Sequence, residues 1–102
     1  MTVTETDVKK YLRKLYRFLG EGHTITFKKL KAHRGFIYLN EPFVLVELDH
    51  RDHVISTFVH EFLHYAHPEW EEYKILELET ALMKKLSVRQ VKNIFKRLAE
   101  AM

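Results

Sequence analysis

Residues 54–66 constrain the fold of this chain more than any other stretch. Val54, Ile55, Phe58, Val59, Phe62, Leu63 and Ala66 form one broad apolar stripe at helical spacing. Such a helix must bury that stripe against a core. On its other face it carries His60 and His64, with Glu61 next to the first histidine. Residues i and i+4 sit one above the other on a helix, about 6 Å apart along the axis. Two imidazoles so placed can share one metal ion. The neighbouring Glu61 can reach a water on that ion. Zinc makes such a water acidic near neutral pH, and a carboxylate beside it can take the proton. His60-Glu61-Phe62-Leu63-His64 is the pattern this chemistry needs on a helix. Pro68 marks the stop.

The chain has 102 residues, which implies one domain (1–102) with a single small core. Within it, residues 1–52 form an N-terminal helix and sheet, 53–86 the metal-site helix pair, and 87–102 a C-terminal helix. Cysteine is absent, so disulfides and thiolate ligands are excluded. Any metal must be held by His, Asp or Glu. No apolar run is long enough to cross a bilayer, and no membrane insertion is expected. Met1-Thr2-Val3-Thr4-Glu5 lacks the basic and apolar stretches of a signal peptide, so the expected compartment is the cytoplasm. The net charge of +3 is mild. Basic residues cluster on the first and last helices, a pattern that usually marks a solvated face.

The elements read as follows. Val8, Tyr11, Leu12, Leu15, Phe18 and Leu19 mark an amphipathic helix over 7–19, ended by Gly20. Residues 24–28 alternate and read as a short strand. The segment 29–34 is ambiguous. Residues 35–39 and 43–48 are two further strands, joined as a hairpin by Asn40-Glu41-Pro42. Asp49 or Asp52 is a candidate cap for the histidine helix. After Pro68 a helix runs over 69–86, with three glutamates in its first turn. Ser87 caps a last helix to about Ala101. The class is α+β, with a small, three-stranded, mainly antiparallel sheet between the first helix and the last three.

Two histidines leave a zinc ion short of ligands. His67 lies about 10 Å along the axis from His60, too far for one straight helix to wrap three groups round an ion. The helix after Pro68 is the better source. It must fold back on the histidine helix, and residues equidistant from the turn then face each other. Register and helical phase both favour Glu72. Glu79 and Glu71 are the alternatives. An inward Glu79 that is not a ligand needs another partner, such as a hydrogen bond to a ligating histidine.

These features resemble the gluzincin metallopeptidases, whose HExxH helix is followed by a second helix bearing a glutamate ligand. The brevity of the chain, its three preceding strands and its extra C-terminal helix resemble the minigluzincins in particular. The resemblance covers the order of elements over most of the chain. Its sharp part is His60-Glu61-Phe62-Leu63-His64, the following proline and the Glu72–Glu79 segment. It implies zinc on His60, His64 and a glutamate, with Glu61 as general base. It also implies relationship to the catalytic domains of integral-membrane metallopeptidases. Many larger gluzincins carry Asp or Asn four residues after the ligand glutamate, where this chain has Leu76 after Glu72 and Met83 after Glu79. The resemblance further implies a latent zymogen. In that family the C-terminal segment blocks the cleft, within one chain or by helix exchange in a homodimer. The connection Lys85-Leu86-Ser87 is short enough to act as a hinge for such exchange.

The expected function is hydrolysis of a peptide or protein substrate. The substrate would lie along an edge strand formed by Gly35, Phe36, Ile37, Tyr38 and Leu39. His53, Tyr65 and Tyr38 are candidates to stabilise the developing oxyanion. Two rival readings come from other classes. One is a non-enzymatic, zinc-stabilised interaction or regulatory domain. The other is a basic nucleic-acid-binding protein in which the histidine motif is fortuitous.

Overall fold

The computed structural model describes residues 1–27, 30, 35–39, 44–48 and 53–102. Its elements in chain order are α1 (Glu5–Gly20), β1 (Thr24–Phe27), β2 (Gly35–Tyr38), β3 (Leu45–Leu48), α2 (Val54–Ala66), α3 (Glu72–Lys85) and α4 (Val88–Ala101). The fold is α+β. The segment 29–34 (Leu30 aside), the Asn40-Glu41-Pro42 connection and the caps expected at Asp49 or Asp52 lie outside the described residues.

The sheet order is β1-β3-β2. β2 pairs antiparallel to β3, with Ile37 opposite Val46. β1 pairs parallel to β3, with Ile25 opposite Val46. The sheet is therefore mixed, one pair of each kind, where a mainly antiparallel sheet is expected from the sequence. The physical reason is visible in β3. Val46, Glu47 and Leu48 are all buried, as is Val44 just before the strand. A strand buried on both faces belongs in the centre of a sheet. Placing it there leaves β1 and β2 on opposite edges, so β1 pairs with β3 and not with its sequence neighbour β2, and it does so in parallel.

Each helix has a local reason to start where it does. Thr4 and Asp7 form a capping box at α1, with Asp7 N–H donating to the Thr4 hydroxyl at 3.1 Å and Thr4 N–H donating to Asp7 Oδ2 at 3.0 Å. Ser87 and Gln90 repeat the device at α4. α2 starts differently. Its N-cap is His53, in the left-handed region at φ 42°, and the His53 side chain does not cap the helix. α3 starts at Glu72 rather than 69, because residues 67–71 form the connection, with Trp70 N–H donating to the His67 carbonyl at 3.0 Å.

The core lies around α2, which packs on β2 and β3 of the sheet and on α3 and α4, with α1 closing against α3 and α4. Phe18, Val46, Leu48, Phe58, Leu63, Ile75 and Ile94 are fully or almost fully buried. The side of α2 bearing Val59 and Phe62 meets Val8 and Leu15 of α1 and Ile94 of α4. α2 also packs on α3 and on β2. This leaves the histidine side of α2 facing the start of α3 and the edge strand.

Candidate metal centre

Helical spacing stacks the rings of His60 and His64, with centroids 4.9 Å apart and planes at 74°. Glu72, in the first turn of α3, reaches both. His60 Nε2 lies 2.7 Å from Glu72 Oε1, and His64 Nε2 lies 2.9 Å from Glu72 Oε2. One turn pair further along, His60 Nδ1 lies 2.9 Å from Glu79 Oε1. Glu72 is thus opposite both histidines and Glu79 opposite the more N-terminal one. That order means α2 and α3 run in opposite directions.

His60, His64 and Glu72 form a group that could hold a metal ion, with one donor atom from each lying within 4.8 Å of the others. The fit can be judged on distance. Tetrahedral N and O ligands about 2.0–2.2 Å from an ion lie about 3.3 Å from one another. The two imidazole–carboxylate separations, 2.7 Å to Oε1 and 2.9 Å to Oε2, are a few tenths of an ångström shorter than that, and one donor from each residue lies within 4.8 Å of the others. The donor chemistry also fits: two imidazoles and one carboxylate leave a fourth position open. Glu79 on Nδ1 fixes the ring of His60 and directs Nε2 toward the centre, the usual outer support for a ligating histidine.

Three carboxylates, Glu61, Glu72 and Glu79, lie close to His60 and shape the electrostatics of the site. Glu61 is buried, at 7 % exposure. Burial raises its pKa to about 7; the nearby His60 opposes this, and the carboxylates of Glu72 and Glu79 reinforce it. The pKa of His60 is raised, chiefly by its hydrogen bond to Glu79 and against its partial burial, with further help from the charges of Glu72, Glu61 and Glu79.

An open cleft runs past these residues. α2 contributes His60, Glu61 and His64; the strand side contributes Gly35, Phe36, Ile37 and Leu39; Pro68 and Glu72 close the far end. β2 is an edge strand. Tyr38 does not line the cleft; its ring packs 4.9 Å from that of Phe36. Tyr65 belongs to a different cluster, 4.8 Å from the ring of Phe18 and 5.7 Å from that of His23. His53 stands at the start of α2, a turn and more before His60. His67 is stacked on Trp70 at 3.8 Å, and its Nε2 shares a 2.8 Å hydrogen bond with the Tyr11 hydroxyl. Burial lowers its pKa, which favours the neutral ring. Glu71 is the N-cap residue of α3 and exposed, outside the donor group.

Gly35 has a role that sequence reasoning missed. A Cβ built on it would lie 2.6 Å from Thr57 Cγ2, 3.1 Å from Glu61 Cγ and 3.2 Å from Glu61 Oε2. β2 therefore approaches α2 at the turn that carries Glu61, and only a residue without a side chain permits it. The one available signal was the glycine itself at the head of a strand, where close backbone approach is a recognised cause.

Comparison with protein-family profiles, with characterised proteins and with solved structures finds no significant match to this chain.

Proposed function

We propose that this protein is a zinc-dependent metallopeptidase in which His60, His64 and Glu72 hold the ion and Glu61 is the general base. One observation carries the reading: two imidazole Nε2 atoms meet the two oxygens of a single carboxylate at 2.7 and 2.9 Å, with Glu61 on the same cleft. The resemblance to the minigluzincins points the same way.

Zinc, when bound, supplies Lewis acidity, making water acidic near neutral pH and polarising a carbonyl. The chain's residues supply the rest. Glu61 takes the proton of the attacking water and delivers it to the leaving amine. A carboxylate whose pKa is raised to about 7 is matched to both steps near neutrality. Glu79 keeps His60 in one orientation. Gly35 lets the edge strand run close beside Glu61, so a peptide paired with β2 would pass its carbonyls over the base. Ile37 and Leu39 offer apolar surface along that path.

On this reading, latency is a matter of where the C-terminal helix sits. α4 packs on α1 and α2, and among the described residues it adds nothing to the cleft lining. Occlusion by the C-terminal segment would require α4 to leave that position, for instance by exchange between two chains about Lys85-Leu86-Ser87.

The test is Glu61→Gln, with zinc content and peptide hydrolysis measured on the same preparation. The variant should keep about one zinc per chain and lose at least about a hundredfold in turnover, the scale of general-base catalysis. Unchanged turnover rejects Glu61 as base. A wild-type chain that binds zinc and cleaves no peptide, with α4 in place or displaced, would instead be a zinc-stabilised interaction domain.

A further inference from the structure

α4 buries one side and leaves a second apolar stripe in solvent. Ile94 and Leu98 are buried, whereas Val88, Phe95 and Met102 are 73 %, 58 % and 46 % exposed. These three stand seven residues apart. An α-helix drifts only about 20° per seven residues, so they form a straight line, with the small, exposed Ala99 alongside. On the solvent side of that line lie Arg89, Lys92 and Lys96, all exposed. The next sector of the helix is tied to α1: Arg97 lies over the Tyr16 ring at 4.3 Å, and Asn93 Nδ2 donates to the Tyr16 hydroxyl at 3.2 Å. Beyond Tyr16, α1 exposes Lys9 and Arg13. The outer surface of the α1–α4 pair thus carries Lys9, Arg13, Arg89, Lys92 and Lys96 against the exposed Glu5 and Glu100, a net positive face with one apolar ridge along it.

We propose that this surface docks the protein peripherally on an anionic lipid bilayer, with α4 lying in the plane of the headgroups. A helix with exposed Phe, Val and Met on one line and Lys and Arg beside it has the composition of an interfacial helix. The ridge enters the headgroup region while the basic residues meet lipid phosphates and carboxylates. Charge separates this occupant from the others. A second α4 would set Arg89, Lys92 and Lys96 against their own copies. The ridge is also only three large apolar side chains, Val88, Phe95 and Met102, against the roughly 20–30 residues a side of a stable protein interface. A nucleic acid would use the basic residues and leave Phe95 and Val88 idle. Docking in this way leaves the cleft free. Val59 and Phe62 of α2 face α1 and α4, whereas His60 and His64 lie on the opposite side of α2. The cleft then opens toward water. The proposal uses no part of the metal centre and stands or falls apart from it.

The experiment is co-sedimentation of the full chain with phosphatidylcholine vesicles, with and without phosphatidylserine. Binding should be at least about tenfold tighter to the anionic vesicles, and it should fall between about 0.1 M and about 1 M salt as charges are screened. Phe95→Ser should weaken it roughly tenfold, and Lys92→Glu with Lys96→Glu at least as much. All three sites are exposed, so circular dichroism should be unchanged. Val88→Ser, at the most exposed position, repeats the apolar test should Phe95→Ser misfold. Equal binding to both vesicle types, or none, overturns the proposal. So does a doubled mass in solution that Phe95→Ser abolishes, which would assign the ridge to a second copy. Salt-dependent binding to DNA or RNA in preference to vesicles, indifferent to Phe95 and Val88, would assign the surface to nucleic acid.

Discussion

The two faces of α2 are built from the same thirteen residues on opposite principles. One face presents Phe58, Val59, Phe62 and Leu63, each at most 3 % exposed. It gains stability from apolar area and close packing, and no single atom there needs a particular partner. The other face presents His60, Glu61 and His64 to Glu72 and Glu79. There every polar atom needs a partner, and three carboxylates surround two imidazoles. Partly buried like charges cost stability unless protons or a cation intervene. The first face makes the fold. The second costs stability through its crowded carboxylates, a cost that a bound cation would offset. The comparison teaches that stability and metal affinity in this chain should respond to different substitutions.

The largest effect should come from the apolar face. Phe58 is fully buried, with its ring 6.2 Å from that of Phe18. Phe58→Ala should cost about 3–5 kcal/mol. Denaturant unfolding checks this. If the folded fraction of the variant still takes up zinc with wild-type affinity, the two faces are separable; a parallel loss of affinity breaks the comparison.

Zinc itself should act nearly as strongly, through the other face. Free zinc at a hundredfold excess over its Kd should stabilise the chain by about 2.7 kcal/mol. His64→Ala should abolish that gain while changing the metal-free stability little, because His64 is only partly buried and its partner Glu72 is exposed. Thermal melts with and without zinc, and with a chelator, read both numbers. A wild-type melt indifferent to zinc would leave the His60–Glu72–His64 group without its ion.

Much of this division was legible in the sequence, and the illegible parts share a cause. The stripe Val54–Ala66 and the His60–His64 spacing are local, so helical periodicity alone sets them on opposite faces. Glu72 and Glu79 could be narrowed down because a short turn limits the register of two antiparallel helices. The parallel pairing of β1 with β3 is non-local and depends on which strand is buried on both faces, a property only weakly written in a four-residue stretch. The delayed start of α3 reflects a competition between continuing a helix after Pro68 and turning it; the Trp70 to His67 hydrogen bond decided for the turn. Tyr65 sits on the same helix as the histidines, yet its direction toward Phe18 and His23 follows from three-dimensional packing that no spacing rule encodes. Gly35 was visible only as a glycine. Its 2.6 Å clearance problem exists between two elements that are far apart in sequence.

That clearance gives the next prediction. Gly35→Ala forces its Cβ against Thr57 Cγ2 and Glu61, and the sheet must move off α2 or Glu61 must turn. The cost should be about 1–3 kcal/mol. Glu61 lies on the metal-facing side of this contact, so peptide turnover should fall further than stability alone accounts for, with zinc affinity nearly kept. A compensating Thr57→Ser, which removes the methyl group nearest the new Cβ, should recover part of the stability. If Gly35→Ala is neutral in both respects, the close approach of β2 to α2 does not govern Glu61.

The last effect is the one whose sign best separates the two faces. The apolar face does not titrate, so of the two faces only the other contributes a pH dependence; away from both, His67, with its pKa lowered by burial, contributes in the opposite sense. In the metal-free chain the pKa of Glu61 rises from 4.5 to about 7 on folding. A group whose pKa is raised binds its proton more tightly in the folded state, so its contribution is fully present below about 4.5 and is lost as pH climbs through about 7. His60 is also raised, so its contribution is present below 6.5 and is lost as pH climbs through its folded value, the same direction. Metal-free stability should therefore fall with rising pH across this window. Glu61→Gln should remove the Glu61 part, flattening the slope between about 4.5 and 7 and raising stability at neutral pH. Zinc works in the opposite sense, because its ligands must be deprotonated and its affinity grows with pH. Unfolding curves of the wild type and Glu61→Gln, recorded across this range with chelator and then with zinc, should show two slopes of opposite sign. Metal-free slopes between about pH 5 and 7 that are the same in the wild type and in Glu61→Gln would mean that Glu61 is solvated in the folded chain, and that the polar face of α2 is not the strained half of the molecule.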